Sequence, residues 1–230
     1  MPHVLSPPLM ESLQAFFPYN KIGESFWLKY SMVRDGANLH SLLRHARGSQ
    51  YTIMAIETTD GDVFGAFLGE PWRKSWNYYG SSQSFVWRMR HSRREKTQSI
   101  IDQAHMESEI DVFHHTGENR CFQLCTDDNI GVGGGTFDPK KGSQSLASDP
   151  DVQVNDHEWG PSLMIKEDLL QGTSYPCLTF GSPSLSNAHP DGSLFEIINL
   201  EIWTLTPCLT MDEAEKLELG RLFLEKHGKI

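Results

Sequence analysis

The chain has 230 residues, of which 38% are hydrophobic and 22% are charged. This balance supports a packed core and excludes an intrinsically disordered chain. The formal net charge of −10 makes a nucleic-acid backbone or an anionic membrane surface an unfavourable main partner, and no apolar run approaches the roughly 20 residues that span a bilayer.

The amino-terminal residues and the cysteines indicate a reducing compartment. The first residues have neither the basic and apolar regions of a signal peptide nor the Arg-rich character of a transit peptide. The cysteines (Cys121, Cys125, Cys177 and Cys208) form no C-x-x-C motif and are too few for a disulfide scaffold. We therefore expect reduced thiols and a cytoplasmic or nuclear location.

The first predicted elements are two helices separated by an extended segment. Ser6 precedes an amphipathic helix that Pro18 ends, because proline cannot continue a helix. Residues 26–32 are predicted to be extended. Asn38 is a good amino-terminal cap for a second helix over Leu39–Ala46, where the leucines repeat at helical spacing.

A three-stranded antiparallel unit follows, and we interpret it as the structural seed of the fold. Residues 51–58 are rich in β-branched and apolar side chains, and residues 63–70 return after Asp60 and Gly61. The Asp-Gly pair is a strong hairpin signal because glycine accepts a positive φ. After an aromatic-rich loop, residues 84–89 form the third strand.

The second half alternates exposed segments with strands. Residues 91–109 are predicted to be an exposed, partly helical excursion, in which the basic cluster is solvated surface. Residues 110–115 and 120–126 are predicted to pair as a second hairpin. The later predicted strands are 163–166 and 194–206. A terminal helix over residues 210–228 begins with a capping box of Thr210 and Glu213.

These elements predict an α+β fold. Strands occupy the middle of the chain, helices lie at both ends, and no alternation of strand and helix indicates a parallel sheet. We expect two antiparallel β-sheets packed face to face as a sandwich, flanked by helices at both chain ends. We see no internal repeat and no linker, and therefore expect one domain over residues 1–230.

The order of the landmarks resembles that of the TLDc domain, the module of the oxidation-resistance proteins. The resemblance covers nearly the whole chain, with longer loops at residues 91–109 and after Gly135. The matching pieces are WLKYS from Trp27, RDG from Arg34, DGDVFGA from Asp60, the pair at Glu70 and Pro71, SYPCLTFG from Ser174, and LEIW from Leu200.

This resemblance implies a β-sandwich flanked by helices and a role in protecting eukaryotic cells from oxidative stress. Several TLDc proteins are regulators of the V-type proton ATPase and bind its peripheral subunits, which makes those subunits the implied protein partner. The resemblance implies no catalytic reaction and no cofactor. It also allows nuclear, mitochondrial or membrane-peripheral locations, the last through a partner.

Several patterns suggest chemistry at first sight, but each has a simpler interpretation. The glycine run at residues 131–135 is followed by Thr-Phe-Asp-Pro, which cannot open a phosphate-binding helix, so close backbone approach is expected. Residues 127–129 do not fit the register of a calcium loop. His114 and His115 point to opposite faces of a strand, so at most one could join the cysteines of its hairpin around zinc. No cofactor or metal site is predicted.

Two classes of function remain open. In the first, the chain is a non-enzymatic interaction module, because no catalytic grouping is legible in the sequence. In the second, it is an enzyme or a direct thiol antioxidant that uses Cys177 or the acids Glu70 and Glu201. A redox thiol would need an exposed, electropositive setting, and the two acids would need to lie close together with separated pKa values.

The interaction hypothesis needs an exposed apolar or aromatic patch. Aromatic residues are enriched at interface hot spots, and the loop after Glu70 and the terminal helix both supply large apolar side chains. The candidate partner-binding residues are Trp72, Trp76, Tyr78, Tyr79, Leu219 and Phe223.

Overall fold

The computed structural model describes residues 3–135 and 159–227. The helices in these ranges are α1 (Pro7–Gln14), α2 (Met32–Asp35), α3 (Leu39–Ala46), α4 (Ile100–Ser108) and α5 (Met211–His227), with a 3₁₀ turn at Tyr19–Lys21. The strands are β1 (Ser25–Ser31), β2 (Thr52–Thr58), β3 (Val63–Leu68), β4 (Ser75–Tyr79), β5 (Phe85–Met89), β6 (Ile110–His114), β7 (Gln123–Cys125), β8 (Asn129–Val132), β9 (Leu163–Lys166), β10 (Gln171–Thr173) and β11 (Phe195–Thr206).

The predicted α+β class is confirmed, but the prediction of two separate sheets was wrong. The strands form one antiparallel sheet in the order β4-β7-β8-β9-β10-β11-β2-β3-β5-β6, and β1 also pairs with β11. The reason is the length of β11. Its first two residues pair with β10, whereas the residues from Ile197 onward pair with β2. One strand therefore joins the two sheets that were predicted to be separate.

Two apolar clusters cover the two faces of the central strands. Along β2, Met54 and Ile56 belong to the larger cluster, whereas Ile53 and Ala55 belong to the smaller one. This alternation follows from the two-residue period of a strand. The larger cluster also contains Ile130 of β8, which lies near the far end of the strand order. The sheet must therefore curve enough to bring β8 over the same core as β2.

The predicted seed hairpin is confirmed. Glu57 pairs with Val63 across β2 and β3, and the Thr58 amide donates to the Asp62 carbonyl at 3.0 Å. Gly61 has a φ of +82°, the conformation for which the Asp-Gly signal selects. The third predicted strand, β5, pairs with β3 as expected.

The prediction of a second hairpin was wrong. β6 pairs with β5 rather than with β7, and β7 pairs with β4 and β8. β4 itself lies where a loop was predicted. Alternating apolar residues identify a strand but do not identify its neighbour, so the nearest strand in sequence was a poor guide to pairing.

The amino-terminal segment is held by two charged side chains. The Val4 amide donates to Glu201 Oε2 at 3.0 Å, and the Val4 carbonyl accepts from Arg93 Nη2 at 2.6 Å. Arg93 also donates to Glu57 at 2.7 Å. The interpretation of the basic cluster as solvated surface was therefore wrong for Arg93, which is half-buried and joins the segment to β2.

No helix in the described ranges is both long enough and apolar enough to cross a membrane.

Two glycines with opposite surroundings give a test of this packing. A Cβ added at Gly65 would lie 1.9 Å from the Met54 carbonyl oxygen, so we expect Gly65→Ala to destabilise the protein by about 3 kcal/mol or more. Gly220 lies inside α5 with open space around it. Gly220→Ala should therefore raise stability by up to about 1 kcal/mol. Urea unfolding of both variants checks the pair, and equal effects would contradict the packing.

Candidate functional site

Glu201 is the most heavily hydrogen-bonded of the candidate acids. Its side chain is 1% exposed and lies on β11. It accepts hydrogen bonds from the Val4 and Leu5 amides at 3.0 and 3.3 Å, and from Trp203 Nε1 at 2.9 Å. Because its oxygens are already used in this way, Glu201 anchors the amino-terminal segment to the central strand.

Glu70, the other candidate acid, lies elsewhere. It is exposed at the end of β3, and it lines a surface cavity to which Glu201 does not contribute. The structure therefore does not bring these two acids together at one cavity.

Cys177 occupies a closed position. Its side chain is fully buried, and its Sγ lies 3.6 Å from the Gly134 carbonyl oxygen, with which it makes a weak hydrogen bond. A Cβ added at Gly133 would lie 2.6 Å from the same sulfur. The glycine run thus serves close approach to the SYPC segment, as predicted. A thiol without solvent access lacks the setting that redox cysteines require.

The patterns first examined as metal sites are accounted for by ordinary contacts. Residues 127–129 form the turn between β7 and β8, where the Thr126 amide donates to the Asn129 carbonyl at 2.9 Å. The His115 ring makes a 2.8 Å hydrogen bond with the Asn119 carbonyl. Within residues 3–135 and 159–227, no group of three or more His, Cys, Asp and Glu residues could hold a metal ion.

The four aromatic candidates after Glu70 differ in exposure. Trp76 is 74% exposed on β4, whereas Trp72 is only 4% exposed and forms part of the core. Tyr79 fixes the preceding turn, because its hydroxyl accepts from the Arg73 amide and donates to the Arg73 carbonyl. Burial, together with Cys121 and Cys177, raises the pKa of Tyr78 to about 12. Of these side chains, Trp76 presents the largest exposed fraction to solvent.

The terminal helix is anchored along one face and carries exposed large apolar side chains elsewhere on its surface. Ala214 is 3% exposed, and Glu218 accepts from Ser49 Oγ at 2.8 Å and pairs with Lys29. Away from this face, large apolar side chains are between 62% and 65% exposed. We call this patch the α5 surface; it consists of Leu219, Phe223 and Leu224.

A cavity of about 770 Å³ opens between α3 and the segment that joins β3 to β4. We call it the cationic cleft, and its defining residues are Arg44, Arg47, Glu70, Trp72, Arg73 and Lys74. Sequence reasoning singled out only Glu70 and Trp72 of this set. The pair Arg73-Lys74 beside Trp72 was a local signal, but nothing in the sequence shows that α3 lies opposite.

The comparisons with known proteins agree on one family. The model of the TLDc domain matches residues 2–206. The relatives named "Oxidation resistance protein 1" from rat and from human are each 29% identical over 203 residues, which is 87% of this chain. The protein of the same name from Kluyveromyces lactis is 26% identical over 216 residues.

The lengths of these relatives differ greatly. The aligned region is 19% of the rat protein and 18% of the human protein, but 74% of the Kluyveromyces lactis protein. This chain therefore spans about a fifth of the mammalian relatives that it matches and about three quarters of the yeast one.

The role of Glu201 as an anchor can be tested by truncation. Glu201→Ala leaves the buried Val4 and Leu5 amides without their acceptor, so we expect a loss of about 3 kcal/mol in the free energy of unfolding. Glu196, an exposed acid on the same strand, provides the control. Glu196→Ala should change stability by less than about 0.5 kcal/mol. A similar small effect of both substitutions in urea unfolding would contradict the anchor.

The thiols provide a second test. Desolvation by burial, partly offset by Lys74, raises the pKa of Cys125 from 9.0 to about 11. At pH 8 its thiolate population is then about one hundredth of that of an ordinary cysteine. We expect iodoacetamide to label Cys125 and Cys177 at least about 100-fold more slowly than the half-exposed Cys208. Site-resolved mass spectrometry measures the rates, and denatured protein, labelled at all sites, is the control. Rapid labelling of Cys177 in the folded protein would support the antioxidant hypothesis.

Proposed function

Because the chain belongs to the TLDc domain family, we propose that it is a non-catalytic interaction module, folded as a single domain, that contributes to protection from oxidative stress. The observation that supports this proposal best is the α5 surface. Its three large apolar side chains lie outside the core on a helix that the rest of the chain holds in place.

Apolar exposure of this kind is informative when it is clustered. Scattered exposed apolar residues are common on monomeric proteins, whereas a contiguous patch marks an interaction site. Leu219 and Phe223 are four residues apart, so they lie on one stripe of α5, whereas Leu224 points about 100° away from Phe223 around the helix. Such a spacing suits a helix that lays its apolar face into a groove of a partner.

The proposed partner is a peripheral subunit of the V-type proton ATPase. The choice of this partner rests on the TLDc domain family, to which the chain belongs. We place the protein in the cytoplasm, where it reaches the membrane by binding that partner. Trp76 is the second candidate contact, because its exposed indole can be buried by a partner without disturbing the core.

The alternative of an enzyme or direct antioxidant has less support from the same geometry. Cys177 is sealed beneath the glycine run, and the oxygens of Glu201 are taken by the amino-terminal segment. Among the described residues, Glu70 lines a cavity whose other charged side chains are arginines and a lysine, without a second acid. A general acid and base pair would need two such groups within reach of one substrate.

Substitution of the α5 surface tests the proposal. The double variant Leu219→Ser and Phe223→Ser removes apolar area that is already exposed, so the fold should be retained. We expect its affinity for purified peripheral subunits of the V-type ATPase to fall at least about tenfold, since hot-spot side chains carry most of the binding energy. Biolayer interferometry with immobilised subunits measures this change.

The matched control removes exposed apolar side chains elsewhere. Ile100 and Ile101 on α4 are 87% and 70% exposed, and their replacement by serine should leave the affinity within about twofold. If wild-type protein binds no V-type ATPase subunit, this choice of partner is wrong. If the subunits bind both double variants as tightly as wild type, the α5 surface is not the interface.

A further inference from the structure

The residues that line the cationic cleft do not include those of the α5 surface, although Gly48 at its edge lies against Leu222 of α5. One wall is a stripe of α3 that contains His40, Leu43 and Arg44 at helical spacing, followed by Arg47 just beyond the helix. The other wall is the 70–74 segment between β3 and β4. The volume of about 770 Å³ falls within the range of roughly 300–1,000 Å³ that is typical of ligand pockets.

The charge of the cleft is opposite to that of the chain as a whole. Arg44, Arg47, Arg73 and Lys74 are formally positive, and Glu70 is the acidic residue among the lining side chains, on a chain with a net charge of −10. Lys74 pairs with Asp127. Within the described ranges, the side chains of Arg44 and Arg47 make no ion pair or hydrogen bond. Both side chains are exposed, so they can reach a ligand.

The position of the arginines on α3 does not by itself account for the cluster. Basic residues in the last turn of a helix are common, because they interact favourably with the negative end of its dipole. That explanation covers Arg44 and Arg47 but not Arg73 and Lys74, which belong to a different segment. Cations from two segments around one cavity repel each other, and an anion between them removes that repulsion.

An independent observation concerns Trp72. This residue lines the cleft, is 4% exposed, and its buried indole N–H has no acceptor within the described part of the chain. Buried donors in folded proteins are nearly always paired, but the Trp87 indole N–H, which does not line the cleft, also lacks an acceptor within the described ranges. The charges of the two walls, rather than this donor, therefore indicate a ligand.

We propose that the cationic cleft binds an acidic peptide segment of a protein partner. Carboxylates of the peptide pair with Arg44, Arg47 and Arg73, whose planar guanidinium groups match carboxylate geometry. Apolar side chains of the peptide pack on Leu43 and Pro71 of the two walls.

A compact phosphate fits the cleft less well. Many phosphate sites in proteins use backbone amides at the amino-terminal end of a helix, whereas the cations of this wall are Arg44 in the last turn of α3 and Arg47 just beyond the helix. The cationic side chains also come from two separate walls, which suits an extended ligand with several carboxylates.

The test uses a fluorescein-labelled peptide of repeated Glu-Glu-Phe-Asp units, with a matched peptide of Gln-Gln-Phe-Asn units. Fluorescence anisotropy gives the affinity of each peptide for wild-type protein and for two double variants. Arg44→Ala with Arg73→Ala removes one cation from each wall. Lys96→Ala with Arg120→Ala removes two exposed cations outside the cleft and is the charge-matched control.

We expect the acidic peptide to bind wild-type protein and the amide peptide to bind at least about tenfold more weakly. The Arg44 and Arg73 variant should lose at least about tenfold in affinity, while the control stays within about twofold. In ¹H–¹⁵N spectra, the indole resonance that disappears in Trp72→Phe should shift on addition of the acidic peptide.

Three results would overturn the proposal. One is equal binding of the acidic and amide peptides, and another is equal loss of affinity in the cleft variant and in its charge-matched control. The third is a shift of the Trp72 indole resonance by inorganic phosphate at lower concentration than by the peptide, which would assign the cleft to a phosphate ligand. None of these results bears on the α5 surface, whose variants are measured separately.

Discussion

The architecture depends on the backbone pairing of β11. This strand of twelve residues pairs with β10 at its start, with β2 along its middle, and with β1 at its end. In the strand order β11 lies between β10 and β2, so it is the strand that joins the two halves of the sheet. Backbone donors and acceptors buried in a core must be paired, so β11 sets the register of both halves of the sheet and holds them in one hydrogen-bonded body.

The buried acid on the same strand has a structural role. Glu201 lies in the middle of β11 and binds the amino-terminal segment, while Arg93 closes that contact from the other side. Cys177 lies beneath the glycine run with no access to solvent. These two interior side chains are thus engaged or sealed. The proposed binding sites are instead two exterior features, namely the apolar side chains of the α5 surface and the charged cationic cleft.

The sequence predicts local structure correctly where a single short-range signal determines it. Asp60 and Gly61 identified the hairpin, and Asn38 caps α3 by accepting from the His40 and Ser41 amides. Long-range pairing was not accessible. β6 joins β5 instead of β7, and β4, which has only five residues, was predicted to be a loop. The cationic cleft was missed for the same reason, since its two walls are separated by more than twenty residues in the chain.

Native-state hydrogen exchange of the backbone amides tests the central role of β11 most directly. If β11 joins the two halves of the sheet into one cooperative unit, protected amides in β2 and β3 and those in β8 and β9 should exchange with the same free energy, equal to that of global unfolding. A markedly lower free energy for β8 and β9 alone would mean that the two halves open independently. That result would contradict the account of β11 as the connection that holds the fold together.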